Sequence, residues 1–397
     1  MIAALFFSRA LLSVSMMLFV AVSFFHSDIK GHIRQFFSSP LLWGMSLLFM
    51  LTLLSGIWSE DKKEWLTILR IKLPLLALPL AFAGPFSFSK KQWEIIAFVF
   101  IGIVTAGTIW CMFNYVTDWR FINESYLRAK TLAVPLNNDH VRFSWLVSVT
   151  ILLAGLLCWN KRKENKIIAI ILIIIVCWLI IFLHILAART GLFSFYIIAL
   201  ASGISLLLAR AKPWQGIVVL ILLIALPFAA YRVLPSFQNR VRYILYDYGY
   251  FKEMHYLPGG NDASRIISLR AGWNLLEQNP LTGTGAGDIT TAIKKWDSEH
   301  YPGMRDTDKI YPSSEWLVYG LTAGWVGVLL FSIVVFIPCF IRRRNNLAWL
   351  LLNLTAMFGF LFDIGLEVQF GVFIYSFLIL WWWKWLKPQK QITLTHD

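Results

Sequence analysis

Long apolar runs alternate with short polar segments along the whole chain. A helix needs about 20 mainly apolar residues to cross a bilayer, and about eleven runs approach that length. They lie near residues 8–25, 40–58, 68–84, 93–115, 141–159, 167–186, 190–209, 215–234, 315–341, 346–362 and 369–386. The third run contains Pro74 and Pro79, which predict a kinked or re-entrant segment. The pattern predicts an all-α polytopic membrane protein with about eleven transmembrane helices, between about ten and twelve.

One long polar stretch, residues 235–314, divides the chain. We predict about eight membrane helices over 1–234, a loop domain over 235–314, and about three helices with a cytoplasmic tail over 315–397. Inside the loop, the segment ASRIISLRAGWNLLEQ carries apolar residues at helical spacing. These residues predict an amphipathic helix with one packed face: Ile266, Leu269, Trp273 and Leu276.

Composition and charge support the membrane assignment. Hydrophobic residues make up 58% of the chain and charged residues 15%, whereas soluble domains carry about 25% charged residues. The net charge of +14 comes with short basic clusters between apolar runs, such as those at 161–163 and 342–344. This is the positive-inside pattern, so the expected partner is the lipid bilayer and not nucleic acid. It places the clusters in the cytoplasm and the 235–314 loop outside it.

The loop contains NPLTGTGAGDI, in which Gly283, Gly285 and Gly287 alternate. A nucleotide-binding fingerprint would need GxGxxG between a strand and a helix, and neither the spacing nor the context is present. Two interpretations stay open. The glycines form a turn because they tolerate positive φ, or their amides form a nest for a phosphate-bearing lipid head group.

Four arginines outside the basic clusters are candidates for binding an anionic substrate. Arg189 lies between two otherwise uncharged runs, where an arginine is costly unless it faces water, a partner or a ligand. Arg265 begins the predicted amphipathic helix, and Arg270 follows on it. Arg142 heads another apolar run. Arginine offers a permanently charged fork for phosphate oxygens, although a snorkelling flank residue and a generic surface arginine remain alternatives for Arg189 and Arg265.

Asp363 and Glu367 are four residues apart in a short outer segment. They suit either a structural salt bridge to Arg189 or Arg142, or a direct contact with the hydroxyl groups of a sugar.

Several segments together resemble a known family. They are WSEDKKEWLTILRIKLPLLALPLAF, the ART at 188–190, Arg265 followed by NPLTGTGAGD, PSSEWLVYGLTAGWVG at 312–327 and DIGLEVQFG at 363–371. Their order and spacing are similar to the O-antigen ligase and Wzy-type polymerase superfamily, in a form resembling that of the Bacteroidetes. The resemblance extends from about residue 40 to residue 380.

The resemblance implies a GT-C-like, metal-independent glycosyltransferase of the bacterial inner membrane, with its long loop in the periplasm and no cofactor. The donor would be a glycan linked to undecaprenyl diphosphate, and the acceptor a sugar on lipid A-core or on a growing polysaccharide. The two arginines that bind the diphosphate in the family correspond to Arg189 and Arg265. Ligase and polymerase activity are not distinguished.

One position departs from the family pattern. A histidine and an asparagine open the helix after the long loop in the ligases, and Ser313 and Ser314 stand there in this chain. The nearest ionisable residue is Glu315, which could serve as the general base. Alternatively, Glu315 follows a serine cap at an ordinary helix N-terminus, where the helix dipole favours an acidic residue.

Two other functions remain open: a transporter or exporter of lipid-linked glycans, and a non-catalytic member of the family. A transporter should show repeat symmetry and charges or broken helices at mid-membrane. The sequence shows no repeat.

Overall fold

The computed structural model describes residues 1–128, 130–209, 213–252, 256 and 258–387. All regular secondary structure within these ranges is helical. The C-terminal end of the predicted cytoplasmic tail, from residue 388 onward, lies outside the described residues.

Nineteen α-helices follow one another along the described ranges. The first nine are α1 Ile2–Phe7, α2 Arg9–Ser23, α3 Ile29–Ser38, α4 Pro40–Ser55, α5 Lys62–Lys72, α6 Pro74–Ala83, α7 Lys90–Thr117, α8 Trp119–Ser125 and α9 Pro135–Asn138. The other ten are α10 His140–Lys161, α11 Lys166–Leu186, α12 Arg189–Leu208, α13 Pro213–Val233, α14 Pro235–Lys252, α15 Asn261–Gln278, α16 Ile289–His300, α17 Glu315–Phe340, α18 Asn346–Phe362 and α19 Gln369–Trp385.

Every predicted apolar run lies on a helix, but fewer helices meet the length and hydropathy expected of a span. Seven do so among the described residues: the continuous segment α5–α6, α7, α10, α11, α12, α13 and α17. The pair α3–α4, bent by 81°, would be an eighth. Three of the predicted runs became the shorter helices α2, α18 and α19, of 15, 17 and 17 residues. The structure therefore supports a polytopic membrane protein with seven or eight candidate spans, and the predicted count of about eleven is not confirmed.

The helix α19 explains part of this difference. Each of its residues from Phe370 to Trp383 is buried within the protein. The apolar surface of a helix that is enclosed on all sides need not match the thickness of the hydrocarbon layer. Length is therefore a weaker guide for such a central helix than for one that faces lipid.

The polar groups gather at the two ends of the membrane helices. At one end, Lys161 pairs with Glu94 and Glu164 at 2.9 and 2.8 Å. Residues 235–314 pack on the other end, called here the loop end, where α15 contacts α17 and residues 286–288 contact α5. The loop helices share a small hydrophobic core with the start of α17, and it includes Ile267, Ile289, Trp296, Leu317 and Leu321.

Helix α15 forms where the sequence predicts it, but a different face of it packs. The buried apolar residues are Ala263, Ile267, Ala271, Leu275 and Leu276. Of the predicted face, only Leu276 is buried, and Trp273 is 50% exposed. Small side chains let the helix approach its neighbours closely, and a pattern of large apolar residues alone does not show this.

Candidate functional site

The structure brings Arg189 and Arg265 together at the loop end. Arg189 is the first residue of α12, and its Nη2 donates to Asp262 Oδ1. Asp262 is on the first turn of α15, three residues before Arg265. Arg265 is half-buried, and its Nη1 donates to the carbonyl oxygen of Phe362 at 3.1 Å. The two predicted anion-binding residues therefore lie on neighbouring helices around one acidic residue.

Positive charge is crowded around Arg265. Burial lowers the pKa of its guanidinium; Asp363 and Asp262 oppose this effect, and the charges of Arg189 and Arg142 add to it. Like charges at close range favour the binding of an anion between them, because each guanidinium then gains an opposite charge.

Arg142 is almost completely buried and holds the segment 363–368. Its Nη2 lies 2.9 Å from Asp363 Oδ2 and donates to the carbonyl oxygen of Ile364 at 2.7 Å. Its Nη1 lies 3.4 Å from Asp139 Oδ1. Burial raises the pKa of Asp363, while Arg142 and Arg265 act in the opposite direction. Of the two interpretations of Asp363, the structure favours the salt bridge to Arg142.

Glu367 pairs with a residue that the sequence analysis missed. Glu367 Oε1 lies 2.5 Å from Lys72 Nζ, which is itself 4.4 Å from the centre of the Tyr319 ring. Lys72 is fully buried. A charged residue inside the predicted run 68–84 was the available signal, since ionisable residues within membrane segments usually mark functional sites.

Glu315 begins α17 and is fully buried. Its Oε1 accepts a hydrogen bond from the backbone N–H of Leu366, and its Oε2 has no hydrogen-bond partner among the described residues. The helix start at Glu315 was predicted correctly, but the serine cap was wrong, since the Ser314 side chain makes no capping hydrogen bond. The carboxylate is bound by a distant segment of the chain and not by its own helix end.

Ser313 connects this helix start to the helix of Arg265. The Ser313 and Ser268 hydroxyl oxygens are 3.2 Å apart, and the Ser313 N–H donates to Ser268 Oγ. Ser268 in turn donates to the carbonyl oxygen of Arg265 at 2.8 Å. Arg270 lies further along α15, and its side chain is exposed.

The glycine turn is used for packing, contrary to the phosphate-nest interpretation. Gly283 and Gly285 have φ of 66° and 89°. The Thr284 and Gly285 amides both donate to the carbonyl oxygen of Leu321, at 2.7 and 3.0 Å. The Gly287 amide donates to Ser59 Oγ. Because these amides are occupied within the protein, Gly283 and Gly285 form a turn and offer no open anion nest.

The fold and these contacts define the class of protein: a polytopic helical membrane protein with buried ion pairs and an arginine-rich site at one end of its helices. Residues 178–332 match the family model described as O-antigen ligase. Over these residues the chain is similar to the O-antigen ligase family, and this likeness suggests a glycosyltransferase-type activity. No curated protein matches the chain.

Most of the candidate site falls inside the matched region. It contains Arg189, Arg265, Ser313, Glu315 and the glycine turn, whereas Lys72, Arg142 and the segment 363–368 lie outside it. The contacts described above join the two groups.

Proposed function

We propose that this protein transfers a glycan from an undecaprenyl-diphosphate-linked donor to a sugar acceptor, on lipid A-core or on a growing polysaccharide. The reaction would take place on the periplasmic face of the bacterial inner membrane, which would be the loop end. The observation that supports the proposal is the convergence of Arg189 and Arg265 beside Asp262, inside the matched region.

The arginines have an electrostatic role in this proposal. Arg189 and Arg265 bind the diphosphate and stabilise the negative charge that develops as it leaves. Fixed donors directed at such a charge can contribute several kcal/mol to catalysis. Arg142 acts indirectly, because it positions the segment from Asp363 to Glu367 through its contacts with Asp363 and Ile364.

Glu315 is the proposed general base, in place of the family histidine. The acceptor hydroxyl attacks the anomeric carbon, the bond between that carbon and the diphosphate oxygen breaks, and the hydroxyl proton moves to Glu315 Oε2. The Leu366 N–H donates to Oε1, and Oε2 has no hydrogen-bond partner in the described part of the chain. Ser313 positions the start of α17 against α15 through Ser268.

The decisive experiment is complementation of a deletion strain, read as surface polysaccharide on a gel. Arg189→Ala and Arg265→Ala should abolish the wild-type pattern, while the matched control Arg242→Ala, at an exposed position of α14, should restore it. If both arginine variants restore the pattern, the assignment of Arg189 and Arg265 to a diphosphate site is wrong. If Glu315→Gln restores it, Glu315 is not the base.

The gel also distinguishes ligase activity from polymerase activity. Loss of all glycan-capped lipid indicates a ligase, and a single repeat unit left on the lipid indicates a polymerase. Transfer from a lipid-linked donor by the purified protein would exclude the transporter and the non-catalytic alternatives.

A further inference from the structure

A second buried arginine from the long loop points toward the same site. Arg240 lies on α14, is 6% exposed, and has two nitrogens, Nε and Nη1, without a hydrogen-bond partner among the described residues. Its guanidinium carbon lies 5.5 Å from the centre of the Tyr243 ring. A buried guanidinium whose donors are unused is costly, because it has lost its hydration without a replacement.

The nearest acidic groups do not pair with these two nitrogens of Arg240. Among the described residues, Asp262 Oδ1 accepts from Arg189, and Asp262 Oδ2 has no hydrogen bond. Asp247 Oδ2 accepts from the Tyr243 hydroxyl and from the Asp262 amide. Neither carboxylate therefore provides a hydrogen bond to Nε or Nη1 of Arg240.

The electrostatic neighbours of Arg240 place it beside the candidate site. Burial lowers its pKa, the charge of Arg189 lowers it further, and Asp262 opposes both effects. His140, at the start of α10, is within electrostatic range of both Arg240 and Arg265. Asp262, which interacts with Arg189, Arg240 and Arg265, is already paired with Arg189.

We propose that Arg240 is a third ligand for the donor's diphosphate, so that Arg189, Arg240 and Arg265 enclose it from α12, α14 and α15. The unused N–H groups of Arg240 provide the motivation, since the oxygens of a diphosphate can accept from several arginines at once. This inference rests on the proposed function and deepens it. It also gives α14 a role, because the helix carries a charged ligand from the long loop to the membrane helices.

The test is a titration of the full-length protein, purified in detergent, with two probes: inorganic pyrophosphate and farnesyl diphosphate. Arg240→Met should raise the Kd of both probes at least about tenfold, equivalent to about 1.4 kcal/mol. Arg242→Met, a matched control on the exposed side of α14, should leave both Kd values unchanged. Arg240→Lys retains the charge with fewer donors, and we expect an intermediate loss.

The same titration separates failure of the Arg240 inference from failure of the proposed diphosphate site. If Arg240→Met and Arg240→Lys melt at lower temperature but keep the wild-type Kd within about twofold, Arg240 is structural and the inference is wrong. If Arg189→Met and Arg265→Met weaken binding in the same assay, the proposed function stands without Arg240. If no arginine variant weakens binding, the diphosphate site itself is wrong.

The two probes distinguish the source of the diphosphate. Tighter binding of farnesyl diphosphate than of pyrophosphate supports a lipid-linked donor. If the two probes bind with equal Kd and Arg240→Met still weakens both, the Arg240 assignment is supported but the lipid-linked donor is contradicted.

Discussion

Lys72 and Glu367 are 1% and 7% exposed at their side chains, and they pair across the loop end. An ion pair buried this deeply is sensitive to the loss of one partner, because the remaining charge stays in a medium of low polarity. Glu315 adds a second carboxylate to this environment. Lys72 and Glu367 therefore connect Glu315, the proposed base, to the segment 363–368, which Arg142 positions.

We expect Lys72→Met to destabilise the protein by about 3–5 kcal/mol, since it leaves Glu367 charged and unpaired. The measurement is the apparent melting temperature of the purified protein in detergent. Lys63→Met, at an exposed position of the same helix, is the control. The double variant Lys72→Met/Glu367→Gln should recover part of the loss, and losses that simply add would show that the pair does not interact.

At the scale of elements, the glycine turn completes the broken helix α17. That helix is interrupted at Ala323 and Gly324, and Gly324 has φ of 64°. The turn supplies hydrogen bonds to the interrupted helix, because Thr284 and Gly285 donate to Leu321 and the Trp325 N–H donates to Pro280. A break within an apolar helix is tolerated where other parts of the protein satisfy the freed groups.

Gly283→Ala should therefore destabilise the protein in the absence of any ligand. A Cβ at Gly283 would lie 2.3 Å from the carbonyl oxygen of Leu321, and the residue would keep a positive φ. Gly303→Ala is the matched control, since a Cβ there meets nothing within 4 Å. The readout is thermal unfolding without donor lipid, and equal melting of the two variants would contradict the structural role of the turn.

Helix α16 carries a carboxyl group that should make stability depend on pH. Asp297 is 1% exposed, and within the described ranges neither of its carboxylate oxygens has a hydrogen-bond partner. Burial raises its pKa from 3.8 to about 6, with Lys309 and His300 opposing the rise. A raised folded-state pKa means that the charged form is destabilising. This cost is absent below about pH 4 and complete above about pH 6.

Asp297→Asn should thus raise the melting temperature at pH 7.5, with a gain of at most about 3 kcal/mol. The gain should shrink as the pH falls from about 6 to about 4. Glu299→Gln, at an exposed position on the same helix, should show no such trend. A gain that is constant over this pH range would contradict the assignment.

At the scale of the whole molecule, the two ends of the helix bundle carry different kinds of charged residues. One end carries basic clusters and the Lys161 ion pairs, while the loop end carries the convergent arginines and buried acids. The positive-inside pattern predicts that the first end faces the cytoplasm. The proposed reaction requires the second end to face the periplasm.

Cysteine labelling in intact cells tests this orientation. In a chain whose four native cysteines are replaced, Glu299→Cys should react with a membrane-impermeant maleimide. Lys163→Cys should react only after the cells are permeabilised. The reverse pattern would exclude a periplasmic site.

The sequence by itself determined the class of the protein. Every long apolar run became a helix because the length and hydropathy of a segment are local properties that the bilayer selects directly. Arg189 was recognisable as a candidate because a permanently charged residue between two apolar runs is costly without a partner, and Arg265 because it begins the predicted amphipathic helix. The departure at Ser313 and Ser314 was visible only through the resemblance to the family, which implies a histidine and an asparagine there.

Only the tertiary structure decided which groups meet. The Lys72–Glu367 pair, the bond from Leu366 to Glu315, the role of Asp262 beside Arg189 and the insertion of the glycine turn into α17 join segments that are distant in sequence. The packed face of α15 combines Ile267, Leu275 and Leu276 with the small residues Ala263 and Ala271, and it is not the face that Ile266, Leu269 and Trp273 predicted. These features depend on long-range packing and on the pairing of buried charges. The local pattern can mark a residue such as Lys72 as unusual, but it does not show which distant residue it meets.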